Sequence, residues 1–579
     1  MLANAIGGFK FDDVAIPGLS LSIQYGANYL EYQDKSFAGK VINSGTATAN
    51  LRTNKETKLQ NTNILNYRRT FNDHSIDATG VVEYQQTVYS YMSAGASNLT
   101  YESFHWNNLT QGTAGSPGSG YSKGAIFSLV GRVNYGYKAR YLLSAAVRRD
   151  GSSKFLGGNK FAYFPSFSAG WIISQEPFMK DQQLFSNLKL RGSWGFTGND
   201  GVGPYATFSA YSNRNASFTN STFQNGTILG VIGNPDLKWE STEHQNIGID
   251  ASLLNERINI SADYFVKNTR DLLLNENLPI YLGGNVITRN IGSVQNKGWE
   301  FAVEGDVVNR GSVTWNTGVN ISFVKNNVQS TGSKSIIFDP NNRRIGGGMS
   351  PQSEFVVMAG QPLGAIWGLQ YQGTWKPGEE TEAARFGAKP GDARYKDLKE
   401  DGVIDAGDYA VIGTGIPKTT LGWNNTVNYR SFSLNVFFQG MFGFDKLNYN
   451  NAAAMYLGGD ARQATLRDIL DRYIPGKSET SNIPAFSSTN KNFTQSTRFL
   501  EKADFLRLKN ISLSYTLPKP VLKHVGLKVF VSATNMLTFT DYSGIDPEAS
   551  SSSGDFRQGI DYGSYPNAKT ITGGFTLNF

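Results

Sequence analysis

Apolar and polar residues alternate along this chain with a period of two, from its first stretch to its last. Between positions 312 and 323, Val313, Trp315, Val319, Ile321 and Phe323 share one face, opposite Thr314, Asn316, Gly318, Asn320 and Ser322. Phe432, Leu434, Val436 and Phe438 repeat the pattern against Ser433, Asn435 and Gln439, as do Tyr141, Leu143, Ala145 and Val147. Sustained alternation places every second side chain on one face of a strand, so this reads as an all-β chain. The final stretch is the most telling. Ile571, Gly573, Phe575, Leu577 and Phe579 oppose Thr570, Thr572, Gly574, Thr576 and Asn578. An apolar face backed by small polar residues suits a transmembrane antiparallel β-barrel, whose outside meets lipid and whose inside meets a wet lumen. Taken alone, that strand fits the edge of a soluble sandwich equally well.

The connections separate the two readings. Tight turns are expected at Asn72-Asp73-His74, around Tyr137-Lys138-Ala139, at Leu254-Asn255-Glu256, at Asn309-Arg310-Gly311 and at Arg430-Ser431. They alternate with long Gly/Asn/Ser-rich excursions: 93–124, 199–242, 271–296, 328–418, 444–504 and 541–568. Short turns on one rim and long loops on the other mark a bacterial outer-membrane barrel. With every short turn on the periplasmic rim, the predicted strands are 1–12, 18–33, 59–71, 74–92, 125–136, 140–150, 161–175, 187–198, 243–254, 256–270, 297–308, 312–327, 419–430, 431–443, 505–517, 526–540 and 569–579. Parity requires 328–418 to be one large extracellular excursion, including the strand-like stretch 366–375. The total is about 17, whereas single-chain bacterial barrels have even counts. The expectation is that 1–579 is a partial barrel that begins partway round.

Composition narrows the picture further. No run of about 18 apolar residues is present to form a spanning helix. The mean hydropathy of −0.34 does not exclude a barrel, because every second residue faces water and the average cancels. There is no cysteine, which removes disulfide scaffolds and thiolate metal sites. The net charge of +7 is spread along the chain rather than gathered in a basic block, so nucleic acid is not an expected partner. Residues 1–10 lack the charged and apolar regions of a signal peptide, and an export signal is expected outside this sequence. Aromatics such as Tyr163, Phe164, Phe167, Trp171, Trp423 and Tyr429 cluster where strands would cross the headgroup region, as in a girdle.

Few residues suggest chemistry. The stretch 397–408 approximates a calcium loop: Asp397, Asp401, Val403 (through its carbonyl), Asp405 and Asp408 fall on ligand positions, with Gly402 at the sharp turn. Lys399 stands at the third position, where an oxygen ligand belongs. Calcium (Ca2+) is therefore a candidate cofactor and an acidic turn fixed by Gly402 the alternative. Gly112–Gly120 lacks the Gly-Lys-Ser/Thr ending of a phosphate loop. The four histidines are scattered, no nucleophile–base arrangement stands out, and no catalytic residue is assigned. Long loops carry function more often than scaffolds do. Their aromatics Tyr205, Phe208, Tyr211, Trp367, Tyr371, Trp375, Tyr449 and Tyr456 are the candidate contacts to a ligand or a lid protein.

Several stretches resemble signatures of the SusC/RagA-type TonB-dependent outer-membrane transporters. They are GRVNYGYKARYLLSAAVRRDGSSKF at 131–155, FAYFPSFSAGW at 161–171, LKLRGSWG at 188–195, NPDLKWE at 234–240, NKGWE at 296–300 and FLRLKNISLSY at 505–515. They run in order over nearly the whole chain. The resemblance implies the C-terminal portion of a barrel of roughly 22 strands. It implies import of glycan (oligosaccharide) or peptide oligomers beneath a SusD-like surface lipoprotein, powered through TonB. The setting implied is the outer membrane of a Gram-negative, Bacteroidetes-like cell. The N-terminal plug and TonB-contact segment of that family are not found in the sequence, so the chain is expected to be a fragment or a subunit completed by something else. Phe575, Leu577 and Phe579 would form the C-terminal signal for the barrel assembly machinery. The alternative reading is a surface β-rich binding protein or adhesin without transport.

Overall fold

The computed structural model describes residues 2–13, 16–217, 223–278, 286–332, 334–338, 353–455, 465–486, 494–518, 526–551 and 557–578. Its main antiparallel sheet counts 18 strands, one of them only the two-residue Thr113–Ala114. The other 17 match the predicted strands one for one. They are β1 (Leu2–Asp12), β2 (Leu19–Ala38), β3 (Thr48–Phe71), β4 (His74–Ser97), β5 (Gly118–Tyr137) and β6 (Tyr141–Ser152). Next come β7 (Phe161–Ile172), β8 (Phe185–Asn199), β9 (Glu240–Leu253), β10 (Ile258–Arg270), β11 (Ser293–Arg310) and β12 (Val313–Ser330). The last are β13 (Thr419–Tyr429), β14 (Phe432–Phe442), β15 (Phe505–Thr516), β16 (Gly526–Thr540) and β17 (Thr570–Asn578).

Two compact units are present: Met1–Ile172 with Arg191–Gln245 and Thr269–Ile291, and Ile173–Leu190 with Asn246–Asn268 and Gly292–Phe579. In the first, β1 to β7 pair in sequence order as antiparallel neighbours. In the second, β11 to β17 do the same.

The tight turns fall where expected. Phe71 pairs with His74 across Asn72-Asp73, and Tyr429 with Phe432 across Arg430-Ser431. Lys138, Ala139 and Arg430 take positive φ there (52°, 53° and 53°), the twist a short hairpin turn demands. At the opposite ends β3, β4 and β5 run further than the alternation indicates. β3 and β4 are 24 residues each, about 80 Å of strand, where some 10 residues suffice to cross a bilayer. The apolar face fades past the lipid, so the pattern ends while the hydrogen-bond ladder continues.

The strand surface is inside-out relative to a soluble protein. Along β6, Tyr141, Leu143 and Val147 are exposed while Ser144 and Ala146 are half-covered. On β17, Ile571, Phe575 and Leu577 are exposed. Such a surface is stable facing lipid. At two strand glycines an aromatic ring lies across the gap: a Cβ on Gly198 would sit 2.0 Å from Phe164, and one on Gly574 2.6 Å from Phe530.

Candidate functional site

The excursion after β12 is not a bare loop. Its strands Ile336–Phe338, Phe355–Met358, Ala365–Gly368 and Ala410–Thr414 form a small sheet of their own. The stretch 366–375 thus supplies loop strands, not barrel strands. Asp445–Asn448, from the excursion after β14, pairs antiparallel with Leu500–Lys502 and parallel with Ile560–Asp561 from the excursion after β16. These three excursions share one interior: Phe355, Ile366, Leu447, Tyr449, Ala452, Phe499 and Ile560 pack together. Together they make a loop body with its own core.

That core reassigns several candidate contact residues. Trp367, Trp375 and Tyr449 are buried, and the Tyr449 hydroxyl donates to Gln495 Oε1 at 2.9 Å. The Trp367 and Tyr449 rings pack into the loop body, whereas Trp375 lines a cavity within it. Tyr371 is half-buried, with its hydroxyl on the Asn482 carbonyl. Tyr205, Phe208 and Tyr211, in the first unit, are exposed. Tyr456 and Phe579 lie outside the described residues.

Periodicity did not reveal a buried ionic network at the foot of the loop body. Arg507 of β15, only 2% exposed, donates to Asp546 Oδ1 at 2.5 Å, Glu548 Oε2 at 2.7 Å and Thr538 Oγ1 at 3.0 Å. Lys509 adds a bond to Glu548 at 3.1 Å, and the Asn567 N–H donates to Asp546 at 2.8 Å. Burial works against the charge on Asp546, yet the N–H of Asn567 and the Arg507 guanidinium hold its pKa below the usual carboxylate value. Nearby, Lys446 donates to the Ala549 carbonyl and faces Asp561, Asp546 and Glu548. Burial pulls its pKa down to about 8, against the attraction of those carboxylates. The signal available in sequence was Arg507 itself, a charge inside an alternating strand.

In the acidic turn the four aspartates are engaged by backbone. Asp397 accepts from Gly402 N at 2.8 Å and Asp401 from Val403 N at 3.0 Å. The buried Asp408 accepts from Leu398 N at 2.8 Å, Lys399 N at 3.3 Å and Asp405 N at 2.8 Å. Asp405 accepts from Gly407 N at 2.6 Å and from the Lys399 ammonium at 3.0 Å. The N–H of Gly407, then the ammonium, keep the Asp405 pKa low, and Asp405 raises that of Lys399 in return. Among the described residues no group of three or more acidic or histidine side chains is placed to hold a metal ion. As placed, Asp397, Asp401, Val403, Asp405 and Asp408 are not gathered into the six to eight converging oxygens that calcium takes, although Asp397 Oδ1 is buried without a hydrogen-bond partner. Val403, Ile404 and Asp405 instead wall a cavity of about 300 Å³ with Trp375, Tyr395 and Tyr409.

The strands of the first unit carry a polar ladder on the face opposite exposed Leu59, Leu65 and Val82. The Arg52 guanidinium lies 3.8 Å from the Tyr91 ring and donates to the Tyr89 hydroxyl at 3.0 Å. Asn54 accepts from Tyr89 at 2.7 Å and donates to Asp34 at 2.8 Å. Arg148 donates to Asp150 at 2.7 Å and Ser128 at 2.9 Å. A polar face behind a lipid face, with tight turns at one end and built-up loops at the other, defines a transmembrane β-barrel of the outer-membrane type.

Comparison with known proteins places it within that class. The family model for the TonB dependent receptor-like beta-barrel matches residues 6–439, and the chain belongs to that family. TonB-dependent receptor P3 of Formosa agariphila is 32% identical over 592 residues, covering 100% of this chain and 58% of its own length. TonB-dependent receptor SusC of Bacteroides thetaiotaomicron is 28% identical over 479 residues, covering 79% of this chain and 44% of its own. The chain thus spans roughly half the length of these relatives. Among solved structures, that of the RagAB peptide transporter superposes with a TM-score of 0.84 at 23% identity, over 100% of this chain and 62% of that one. The SusC/RagA resemblance read from the motifs holds.

Proposed function

We propose that this chain is the barrel portion of an outer-membrane importer that takes up glycan or peptide oligomers. A SusD-like surface lipoprotein would close over the loop body, and TonB would supply energy through a plug carried elsewhere in the whole protein. The observation that carries this reading is the loop body itself, three excursions knitted over one core. A packed platform of this kind suits a large docked partner, whereas a simple diffusion pore needs none. Sequence kinship to SusC and the fold shared with a peptide transporter support import. The role is transport rather than catalysis. Exposed Tyr205, Phe208 and Tyr211 are the proposed contacts to ligand or lid, through stacking on sugar or peptide faces.

The test is uptake by cells carrying or lacking the whole gene. Disappearance of oligosaccharides and of peptides from the medium is followed separately, with a TonB-deficient strain in parallel. Loss of uptake of one class in both mutants is expected. Unchanged uptake of both classes, with the protein retained at the surface and binding either, would favour the adhesin-like alternative.

A further inference from the structure

The acidic turn carries the sequence of a metal loop but holds its cation differently. Lys399 occupies the third ligand position, and its ammonium bonds Asp405, the ninth, at 3.0 Å. The stem of Lys399 passes directly over Gly407: a Cβ there would fall 1.5 Å from Lys399 Cε. In this conformation the side chain lies where a Cβ at 407 would be. Asp401 and Asp408 add their attraction to the same ammonium. Meanwhile Asp405 and Asp408 cap each other's backbone around the short helical turn Ala406–Asp408. The Asp401, Asp405 and Asp408 carboxylates are thus already engaged by N–H groups and, at Asp405, by a positive charge built into the chain, while Asp397 Oδ1 stays buried without a hydrogen-bond partner.

We propose that Lys399 has taken the place of the metal: its tethered ammonium closes the 397–408 turn, which holds its shape without calcium. A divalent ion would have to displace that ammonium and strip backbone donors from Asp405 and Asp408. The clasp has a structural consequence, because Asp405 also walls the aromatic cavity beside Trp375 and Tyr409. Holding Asp405 by a covalently attached cation keeps that wall fixed whatever the calcium level outside the cell.

The experiment uses the full chain folded in detergent, with calorimetric titration of CaCl2 and the rate of Glu-C cleavage after Glu400, a residue at positive φ (57°) on the exposed turn. Wild type is expected to bind no calcium and to be cut at the same rate in EGTA and in millimolar CaCl2. Lys399→Met removes the clasp without adding a ligand, and cleavage should rise roughly twofold to fivefold in both media. Lys399→Asn supplies the missing oxygen. It should bind calcium with a Kd of roughly 0.1 to 1 mM and become protected only when calcium is present. Calcium binding by the wild type that slows its cleavage would overturn the proposal. So would a Lys399→Met variant cut at the wild-type rate, or a Lys399→Asn variant indifferent to calcium. None of these outcomes depends on what the barrel transports.

Discussion

The strands and the loop body treat the same kinds of residue in opposite ways. On β6, Leu143 is 43% exposed and belongs there, because its solvent is lipid. In the loop body Ile366 is 0% exposed, packed among Phe355, Leu447 and Ile560 as in any water-soluble core. One chain thus solves two folding problems. Its strands satisfy backbone groups first and leave apolar side chains outside; its excursions bury apolar side chains and face water. The difference teaches that stability in the two regions answers to different solvents, and substitutions can separate them.

The largest effect is expected where a charge is buried between the two. Arg507→Met leaves Asp546 and Glu548 without their main partner and should cost about 3–5 kcal/mol. Thermal unfolding in detergent checks it, and adding Asp546→Asn should restore part of the loss. Ile366→Ala opens a cavity in the loop core and should cost about 2–5 kcal/mol there. Protease should then cut the excursions while the strands keep their heat-modifiable mobility on a gel; simultaneous loss of both would break the comparison. Val147→Arg, on the same exposed face as Leu143 and in the middle of the strand, is the mirror test. At mid-bilayer it should cost roughly 2–4 kcal/mol in lipid vesicles. In detergent, and in the protease resistance of the loops, it should do far less.

A smaller and pH-dependent effect is expected at Lys446. Its pKa in the folded chain, about 8, lies below its ordinary 10.5, so the unfolded chain binds the proton more readily. Stability contributed at this site is therefore lowest below about pH 8 and rises as pH climbs from about 8 toward 10.5. The protease resistance of the excursion after β16 should follow that rise in wild type. It should lose it in Lys446→Met.

The strands were legible because lipid on one side and water on the other impose a strict period of two. Tight turns such as Arg430-Ser431 were legible because the period breaks and resumes within two residues. The loop body was not. Phe355, Leu447, Phe499 and Ile560 meet from far-separated positions, and no short-range period announces a core assembled that way. Trp367 and Tyr449 therefore read as exposed contacts when they are interior packing. The acidic turn shows the intermediate case. Its spacing named the motif and flagged Lys399, but only the geometry placed the ammonium on Asp405.

A loop body with its own interior also bears on how such proteins diversify. Because Ile366, Leu447 and Ile560 hold the excursions together without help from lipid-facing residues, the outer side chains can be exchanged while the membrane-embedded strands stay as they are. Lineages can then rewrite the outer surface with little risk to insertion or to survival of the barrel. Sequence divergence among relatives should accordingly concentrate on the exposed skin of the excursions and spare the residues beneath it.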